Sequence, residues 1–575
     1  MQMIDLIVKI IYAIIIFSGT TICGIPITFY FIKTGRWLSK IILSFCIGFI
    51  LLALGGIVAN LLLINVFFTQ FFILIICIIT IIPIRTTLKA ELDRNDWIIL
   101  IFSTVYVISL ISFFDWIVMW MAGDAVTHAS IIRMLVDGQS LPISLPPFGT
   151  YWEIYPKAFH FYSFFWGSGS SILTTIQVIP VLITAIIPIT IYSLIRELKK
   201  DEIAFYAFIF SAICFSQHYV YLIWAGYPSA AAEMLLVAGV LTIFVEKRLL
   251  PLILVGILFT HTRYLGIFFG ILLVWLIIEI WNEKQTQIKR FYPYIILFIG
   301  VGLVMIMLTV PFHKPDFFLS LISNKQIASD FIARWFWGIL SIFGLVIAVY
   351  RKDNLDRFTV AATIALIGLA IAVDTRVLSL SSLPDRIISL LYIPLSIFAA
   401  YTVVAIVNSK REIKTGVVLL IIAIGALSMG AIFYSYAGSW ALPKEDYQAM
   451  EWLGAQNLSG YTCINIDDTG AWIYPITGIQ VANLPYLIVG VDQYNQNYVL
   501  IRSIIRDPNS AQTRDRVNMI QRPLIYLSHT SMSMPGYTPP FSATDAKFPA
   551  INHTYSEKNY QLRYGDGVKI FEPIQ

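Results

Sequence analysis

Charge is what this sequence has least of. Asp, Glu, Lys and Arg together make up 13% of the 575 residues, against 58% hydrophobic residues. Built as soluble protein, that length would divide into roughly four domains, and such domains average about 25% charged residues. The polar surface needed to cover several water-borne cores is missing, and a mean hydropathy of +0.78 makes lipid the main solvent. Charge of one sign is not concentrated either. The net charge is +5, from 39 basic and 34 acidic residues, with no basic block, which excludes nucleic acid as the expected partner. Cysteine is the third shortage. Cys23, Cys46, Cys77 and Cys214 fall in apolar stretches and Cys463 stands alone, so neither a disulfide framework nor a Cys-x-x-Cys metal site is on offer. No signal peptide is expected, because the first apolar stretch continues into further spans without a small-residue cleavage site.

Long apolar runs are what the sequence has instead. A span needs about 20 apolar residues, fewer where protein lines a cavity. About fourteen runs meet this criterion, beginning near Leu6, Leu38, Phe67, Trp97, Ile172, Ile203, Ser229, Leu249, Tyr264, Tyr292, Trp335, Phe358, Arg386 and Val417. Alternate connections are short and basic: Lys33/Arg36/Lys40, Arg85/Lys89/Arg94, Arg196/Lys199/Lys200, Lys247/Arg248, Lys284/Lys289/Arg290, Arg351/Lys352/Arg357 and Lys410/Arg411/Lys414. The positive-inside rule places these in the cytoplasm, and the N-terminus and residues 437–575 outside. The expected protein is an α-helical polytopic membrane protein with a small C-terminal extracytoplasmic α/β or β-rich domain. It divides into a three-span N-terminal extension (1–95), a transmembrane core (96–436) with a large outer loop (121–168), and the C-terminal domain (437–575).

On this topology the histidines fall on the outer side: His128, His160, His218, His261, His313, His529 and His553. Helix length sharpens the pattern. Leu249–Thr260 would rise only about 18 Å at 1.5 Å per residue, well short of the roughly 30 Å hydrocarbon core. His261-Thr262-Arg263 would then lie inside the membrane, which requires protein or a water-filled cavity around it. Glu233 also sits in the outer half of its span. A polar cavity opening outward is expected.

The outer loop contains Asp124-Ala-Val-Thr-His128 and a run ending at Asp137-Gly138. Asp124 suits a helix N-cap and Gly138 a helix stop, with His128 one turn from Asp124 on the same face. Ile131, Ile132, Met134 and Leu135 suit a helix lying along the membrane surface. Farther on come Glu153, Lys157 and His160 in an aromatic segment. The acids and histidines supply a base, an orienting partner and ligands for a divalent cation such as Mg or Mn. A plain helix cap is the alternative for Asp124.

This arrangement resembles the GT-C superfamily of integral-membrane glycosyltransferases, most of all the prokaryotic branch related to arabinofuranosyltransferases. The features are the many spans, a short helix opening with Gly123-Asp124 in the first outer loop of the core, the following Tyr155-Pro156 segment, outer basic residues and an outer C-terminal domain. The resemblance covers roughly Trp97 to Tyr436. It implies a prokaryotic plasma-membrane enzyme of the cell envelope, using a polyprenyl-phosphate-linked sugar as donor and a glycan, lipid or protein as acceptor. The first-loop acid of such enzymes maps onto Asp124. The Trp-Trp-Asp motif of oligosaccharyltransferases is absent, no Asp-Glu pair follows Gly123, and three extra spans precede the loop.

Donor chemistry asks for cations beside the phosphate and hydroxyl-binding groups beside the sugar. Arg263, Arg376 and Arg386 are outer arginines suited to phosphate, although Arg386 also adjoins Asp385. His261, Glu153, Lys157, His160 and Glu233 complete the candidate substrate-binding set. Asp124 is the expected base, with His128 orienting it or joining it on a metal, and direct displacement would invert the anomeric carbon of a hexose or pentose. In the C-terminal domain, Pro443–Gln456 reads as a helix, and Tyr461–Ile466 and Ala471–Val481 as strands. Asp467-Asp468 fits a turn, or a calcium or acceptor site. Asn457-Leu-Ser459 and Asn552-His-Thr554 are sequons. A transporter or flippase for a lipid-linked saccharide, or a non-catalytic envelope assembly protein, are the rival readings.

Overall fold

A computed structural model describes residues 2–33, 35–84, 92–116, 123–144, 153, 155–198, 200–215, 221–222, 225–282, 325–351, 353–374, 384–409, 414–440, 442–456, 458, 460–465, 468–482, 500, 503–504, 507, 509–529, 559–565 and 568–574. Arg376, His218, His313, His553, Asp467, both sequon asparagines and the span expected from Tyr292 lie outside the described residues.

The protein is an α-helical membrane protein with a small α/β domain at its C-terminal end. Its helices are α1 (Gln2–Phe31), α2 (Trp37–Leu61), α3 (Val66–Ile84), α4 (Arg94–Trp116), α5 (Gly123–Val136), α6 (Ala158–Gly167), α7 (Ile172–Glu197), α8 (Asp201–Ile209), α9 (Tyr227–Val245), α10 (Leu250–Asn282), α11 (Lys325–Arg351), α12 (Asn354–Asp374), α13 (Pro384–Ser389), α14 (Tyr392–Ser409) and α15 (Lys414–Trp440). Among the described residues, 8 helices are long and apolar enough to cross a membrane, with shorter apolar helices at Trp337–Arg351, Tyr392–Asn408 and Thr415–Leu427. Phe68, Phe71, Phe72, Ile76, Ile79 and Ile82 of α3 are exposed, a surface that only lipid would solvate. At the centre, α7 is buried all round. Glycines set the closest crossings. A Cβ on Gly24 would strike the Ser44 carbonyl, and one on Gly48 the Thr20 carbonyl, so α1 and α2 meet backbone to backbone, as small residues allow in membranes.

The basic connections gather on one face. Arg36 reaches Asp93 (3.4 Å) and Asp201 (3.1 Å). Arg196, in the last turn of α7, pairs with Asp96 (2.7 Å) and with Asp201 (3.0 Å). Lys200 pairs with Asp353, Arg357 with Glu279 at 2.8 Å, and Arg248 touches the Phe31 carbonyl at 3.5 Å. Acids in the first turns of α4 and α8 and a cation in the last turn of α7 suit the helix dipoles. Arg196→Met should lower stability by about 2 kcal/mol, because it strands the buried Asp96 while the half-exposed Asp93 and Asp201 rehydrate. A thermal melt in detergent checks this; an unshifted melting temperature would reduce the cluster to decoration.

α10 doubles back on itself. Its backbone is extended at His261 (φ −166°, ψ 98°). A Cβ on Gly239 of α9 would lie 3.0 Å from Phe268 and 3.4 Å from Ile253, residues that a straight helix would hold about 22 Å apart. Trp275 returns to Phe244 at the basic-face end of α9, ring centroids 5.8 Å apart. The first limb, Leu250–Thr260, therefore climbs about 16 Å and turns at membrane mid-depth.

On the opposite face lie α5, α6 and the C-terminal domain. Asn60 of α2 holds the Leu141 backbone (2.7 and 2.9 Å), Gln70 of α3 donates to the Phe161 carbonyl at 2.9 Å, and Thr20 meets Tyr162 at 2.8 Å. The three N-terminal helices thus form the wall behind α6. The C-terminal domain comprises α16 (Lys444–Ala455), β1 (Thr462–Asn465), α17 (Ile473–Thr477), β2 (Gln480–Val481), α18 (Ala511–Asn518), β3 (Pro523–Leu527), β4 (Tyr560–Tyr564) and β5 (Lys569–Pro573). Its 5-stranded sheet has the order β2-β1-β3-β5-β4, with β2, β1 and β3 parallel and β3, β5 and β4 antiparallel.

Two expectations are corrected here. Ala471–Val481 is not a strand: Asp468–Trp472 forms a 3-10 turn, α17 follows, and only Gln480–Val481 pairs. Nor does the apolar face of α5 meet lipid. Ile131, Ile132 and Leu135 are buried, and its C-terminal end is clamped by the C-terminal domain, where Tyr474 donates to Asp137 at 3.0 Å and Arg133 holds Asp137 at 2.9 Å. Gly478 (φ 78°) leaves room for the Arg133 guanidinium, which any side chain there would displace.

Candidate functional site

Asp124 is the second residue of α5, inside the first turn where the helix dipole favours a negative charge. It is half-buried. Burial pushes its carboxyl above the ordinary carboxylate range, and the positive charge of Arg386 opposes that rise. Arg386 lies on α13, a short helix separated by a turn from α14. The span expected to begin at Arg386 is therefore broken, and the break presents Arg386 toward α5. Tyr227, at the start of α9, stands within electrostatic reach of Asp124.

His128 turns away from Asp124. Its Nδ1 lies 2.9 Å from Nε2 of His160 on α6, both rings being buried, and its ring also faces the backbone of Ala225. Ala225 takes a left-handed backbone (φ 61°), a strained state for alanine that the surrounding packing enforces. Asp124 and His128 thus do not converge as a ligand pair. Asp124 has a guanidinium for its charged neighbour, and no group of three or more His, Cys, Asp or Glu gathers among the described residues.

The histidine pair makes a pH prediction. Burial holds His128 down to about 3 and His160 well below its ordinary value, with His128 and the Lys157 charge adding to the effect. An unfolded histidine takes up its proton near pH 6.5. Below that pH the unfolded chain binds more protons than the folded one, so stability falls as pH drops toward 3. The slope is about 1.4 kcal/mol per pH unit for each histidine. In the double variant His128→Asn/His160→Gln the melting temperature should vary less between pH 7 and pH 5 than in the wild type. An equal slope in both would show that the pair does not titrate in this way.

Below Asp124 a polar cluster sits between the spans. Tyr392 of α14 donates to Oε1 of Glu233 on α9. Tyr221 meets the Tyr264 hydroxyl at 2.9 Å and Ser389 at 3.3 Å. The His261 and Tyr264 rings lie 5.3 Å apart at the turn of α10. Arg386 borders this group as well, its charge reaching Tyr221, His261 and Tyr264. One arginine therefore acts on the carboxylate of α5, on the Tyr221 hydroxyl that precedes α9 and on the Tyr264 hydroxyl of α10.

Of the sequence candidates, Asp124 and His261 both feel Arg386, Glu233 joins them through Tyr221, and His128 pairs with His160 beside Tyr227. Lys157, buried at the start of α6, donates to the carbonyls of Glu153 (3.4 Å) and Tyr155 (3.3 Å). Burial lowers its ammonium to about 8, against the pull of the Glu153 charge. Arg263 acts on His261 and is absent from the charges acting on Asp124. The sequence reading missed Tyr221, Tyr227, Tyr264, Ser389 and Tyr392. The available signal was a hydroxyl recurring at the outer ends of apolar runs, faint among 30 tyrosines.

No family model matches the sequence, and no curated protein does. Among solved structures the chain is similar to the Archaeoglobus fulgidus oligosaccharyltransferase. The form tethered with an acceptor peptide containing the NVT sequon is 12% identical, with 76% of this chain and 69% of that chain covered and a TM-score of 0.44. The complex with Zn and sulfate is 12% identical, with coverage of 76% and 68% and a TM-score of 0.40. The complex of AglB with an inhibitory peptide and a dolichol-phosphate is 13% identical, with coverage of 76% and 69% and a TM-score of 0.39. At such identity they say nothing of this chain's donor, acceptor or catalytic residues.

Proposed function

We propose that the chain is an integral-membrane glycosyltransferase that moves a sugar from a polyprenyl-phosphate donor to an acceptor hydroxyl. Asp124 is the catalytic base and Arg386 holds the phosphate. The observation that carries this reading is the charge of Arg386 acting on Asp124 beside a buried cluster of hydroxyls set among membrane helices. The acceptor hydroxyl gives its proton to Asp124 as its oxygen attacks the anomeric carbon. The bond from that carbon to the phosphate oxygen breaks, and the electron pair leaves on the polyprenyl phosphate. Arg386 stabilises that charge with charge-assisted hydrogen bonds. Attack from the side opposite the phosphate inverts the anomeric configuration. A raised carboxyl pKa makes Asp124 a stronger base than an exposed aspartate.

The basic face is assigned to the cytoplasm by the positive-inside rule, which puts Asp124 and the C-terminal domain outside. The three helices of residues 1–95 brace the loop, and the domain of residues 437–575 positions the acceptor through its clamp on α5. The test is to incubate purified protein in lipid with polyprenyl phosphates carrying hexoses or pentoses, and with glycan, lipid and peptide acceptors. Donor consumption that yields product of inverted configuration supports the reading. Transbilayer movement of an intact donor without consumption would replace it with the flippase reading.

A further inference from the structure

We propose that the membrane-depth cluster of Tyr221, Glu233, His261, Tyr264 and Tyr392 is the pocket for the sugar ring of the donor, and that Glu233 selects its hydroxyls. This rests on the glycosyltransferase reading and adds to it the place and chemistry of sugar recognition. Two buried atoms carry the argument. Among the described residues, Oε2 of Glu233 and Nδ1 of His261 accept no hydrogen bond of good geometry, although the Tyr221 hydroxyl faces the carboxylate. Glu233 itself is completely buried. Buried polar side chains are paired in the large majority of cases, and leaving one unpaired costs about 1–3 kcal/mol. Here the two groups that carry these atoms flank the same residue, Tyr264.

The chemistry of the walls decides what completes them. A lipid tail offers no hydrogen to either group. A phosphate offers only acceptors at neutral pH and is repelled by the carboxylate. A sugar ring brings several hydroxyls that donate to Glu233 and His261, while its ring and remaining oxygens accept from tyrosine hydroxyls. The arrangement also suits the donor, because Arg386, whose charge acts on Asp124, shares α13 with Ser389, which meets Tyr221 of the cluster at 3.3 Å. A phosphate at Arg386 therefore places its attached sugar next to the element that carries the tyrosine contact.

The test compares binding of bare polyprenyl phosphate with polyprenyl phosphate carrying glucose, mannose, galactose or arabinofuranose, using purified full-length protein in detergent. Wild type should bind at least one sugar-bearing lipid more tightly than the bare one. Glu233→Gln should reduce that preference about tenfold or more and leave affinity for the bare lipid unchanged. Tyr392→Phe, which keeps the ring and removes only the donor to Glu233, gives the same readout should the glutamine variant fail to fold. Full preference retained in the folded variants would overturn the pocket assignment and leave the proposed function standing. Failure of wild type to bind bare or sugar-bearing lipid would remove both.

Discussion

Asp124→Asn is expected to slow sugar transfer by about 10²–10⁴-fold, the usual worth of a positioned general base, with donor binding retained. Asparagine keeps the size and polarity of the side chain, so α5 should start in the same place and the melting temperature should hold. It removes the negative charge beside the phosphate site, so donor affinity should stay level or rise. The pH profile supplies a second signature. Burial holds the Asp124 carboxyl above the ordinary carboxylate range, and transfer requires the ionised form. Wild-type activity should therefore fall with acidification at a pH above the ordinary aspartate value, and that limb should vanish in the residual activity of the variant. Transfer at the wild-type rate by Asp124→Asn would remove Asp124 from the chemistry and leave Glu233 as the next carboxylate to test.

The parts of this architecture visible in the sequence are those set by the membrane. Basic loops such as 33–40, 196–200 and 351–357 are legible because lysine and arginine are poorly translocated, and the structure gathers these three into one face. The turn at His261 was visible for a different reason: twelve apolar residues do not cross a bilayer, so the chain has to turn inside it. The start of a helix at Gly123-Asp124 and its stop at Gly138 follow from local backbone chemistry, although Asp124 proved to be within the first turn and not its cap. Contacts between segments distant in the chain were not visible. His128 shares a helical face with Asp124, yet its partner is His160, 32 positions on, because α6 packs across it. The apolar side of α5 looked like a lipid-facing surface, since a buried stripe and a lipid-facing stripe carry the same residues. Tyr474, 337 positions beyond Asp137, belongs to the protein that covers this helix. Arg263 and Arg386 were equivalent as outer arginines. The turn between α13 and α14 distinguishes them by bringing Arg386 toward Asp124.

Arg386→Ala should produce the second large effect, a loss of about 10²–10³ in transfer rate from removing the charge that stabilises the leaving phosphate. Two consequences separate this role from simple packing. First, affinity for bare polyprenyl phosphate should fall together with affinity for the sugar-bearing donor, because the phosphate is common to both. Second, the acid limb of the pH profile should move to higher pH. Arg386 is the charge that opposes the burial of Asp124; without it, burial acts alone and the carboxyl holds its proton longer. Arg386→Lys divides these effects. Lysine restores a positive charge near Asp124, and so returns the acid limb toward its wild-type position, but lacks the planar fork that grips a phosphate at two points. Its donor affinity should stay below wild type. Arg263→Ala is the comparison, since its charge acts on His261 and is not among those acting on Asp124: its acid limb should stay in place. An Arg386→Ala enzyme with unchanged phosphate affinity and an unmoved acid limb would show that Arg386 holds α13 in place and nothing more, and the phosphate site would have to be sought at Lys157 or Arg263.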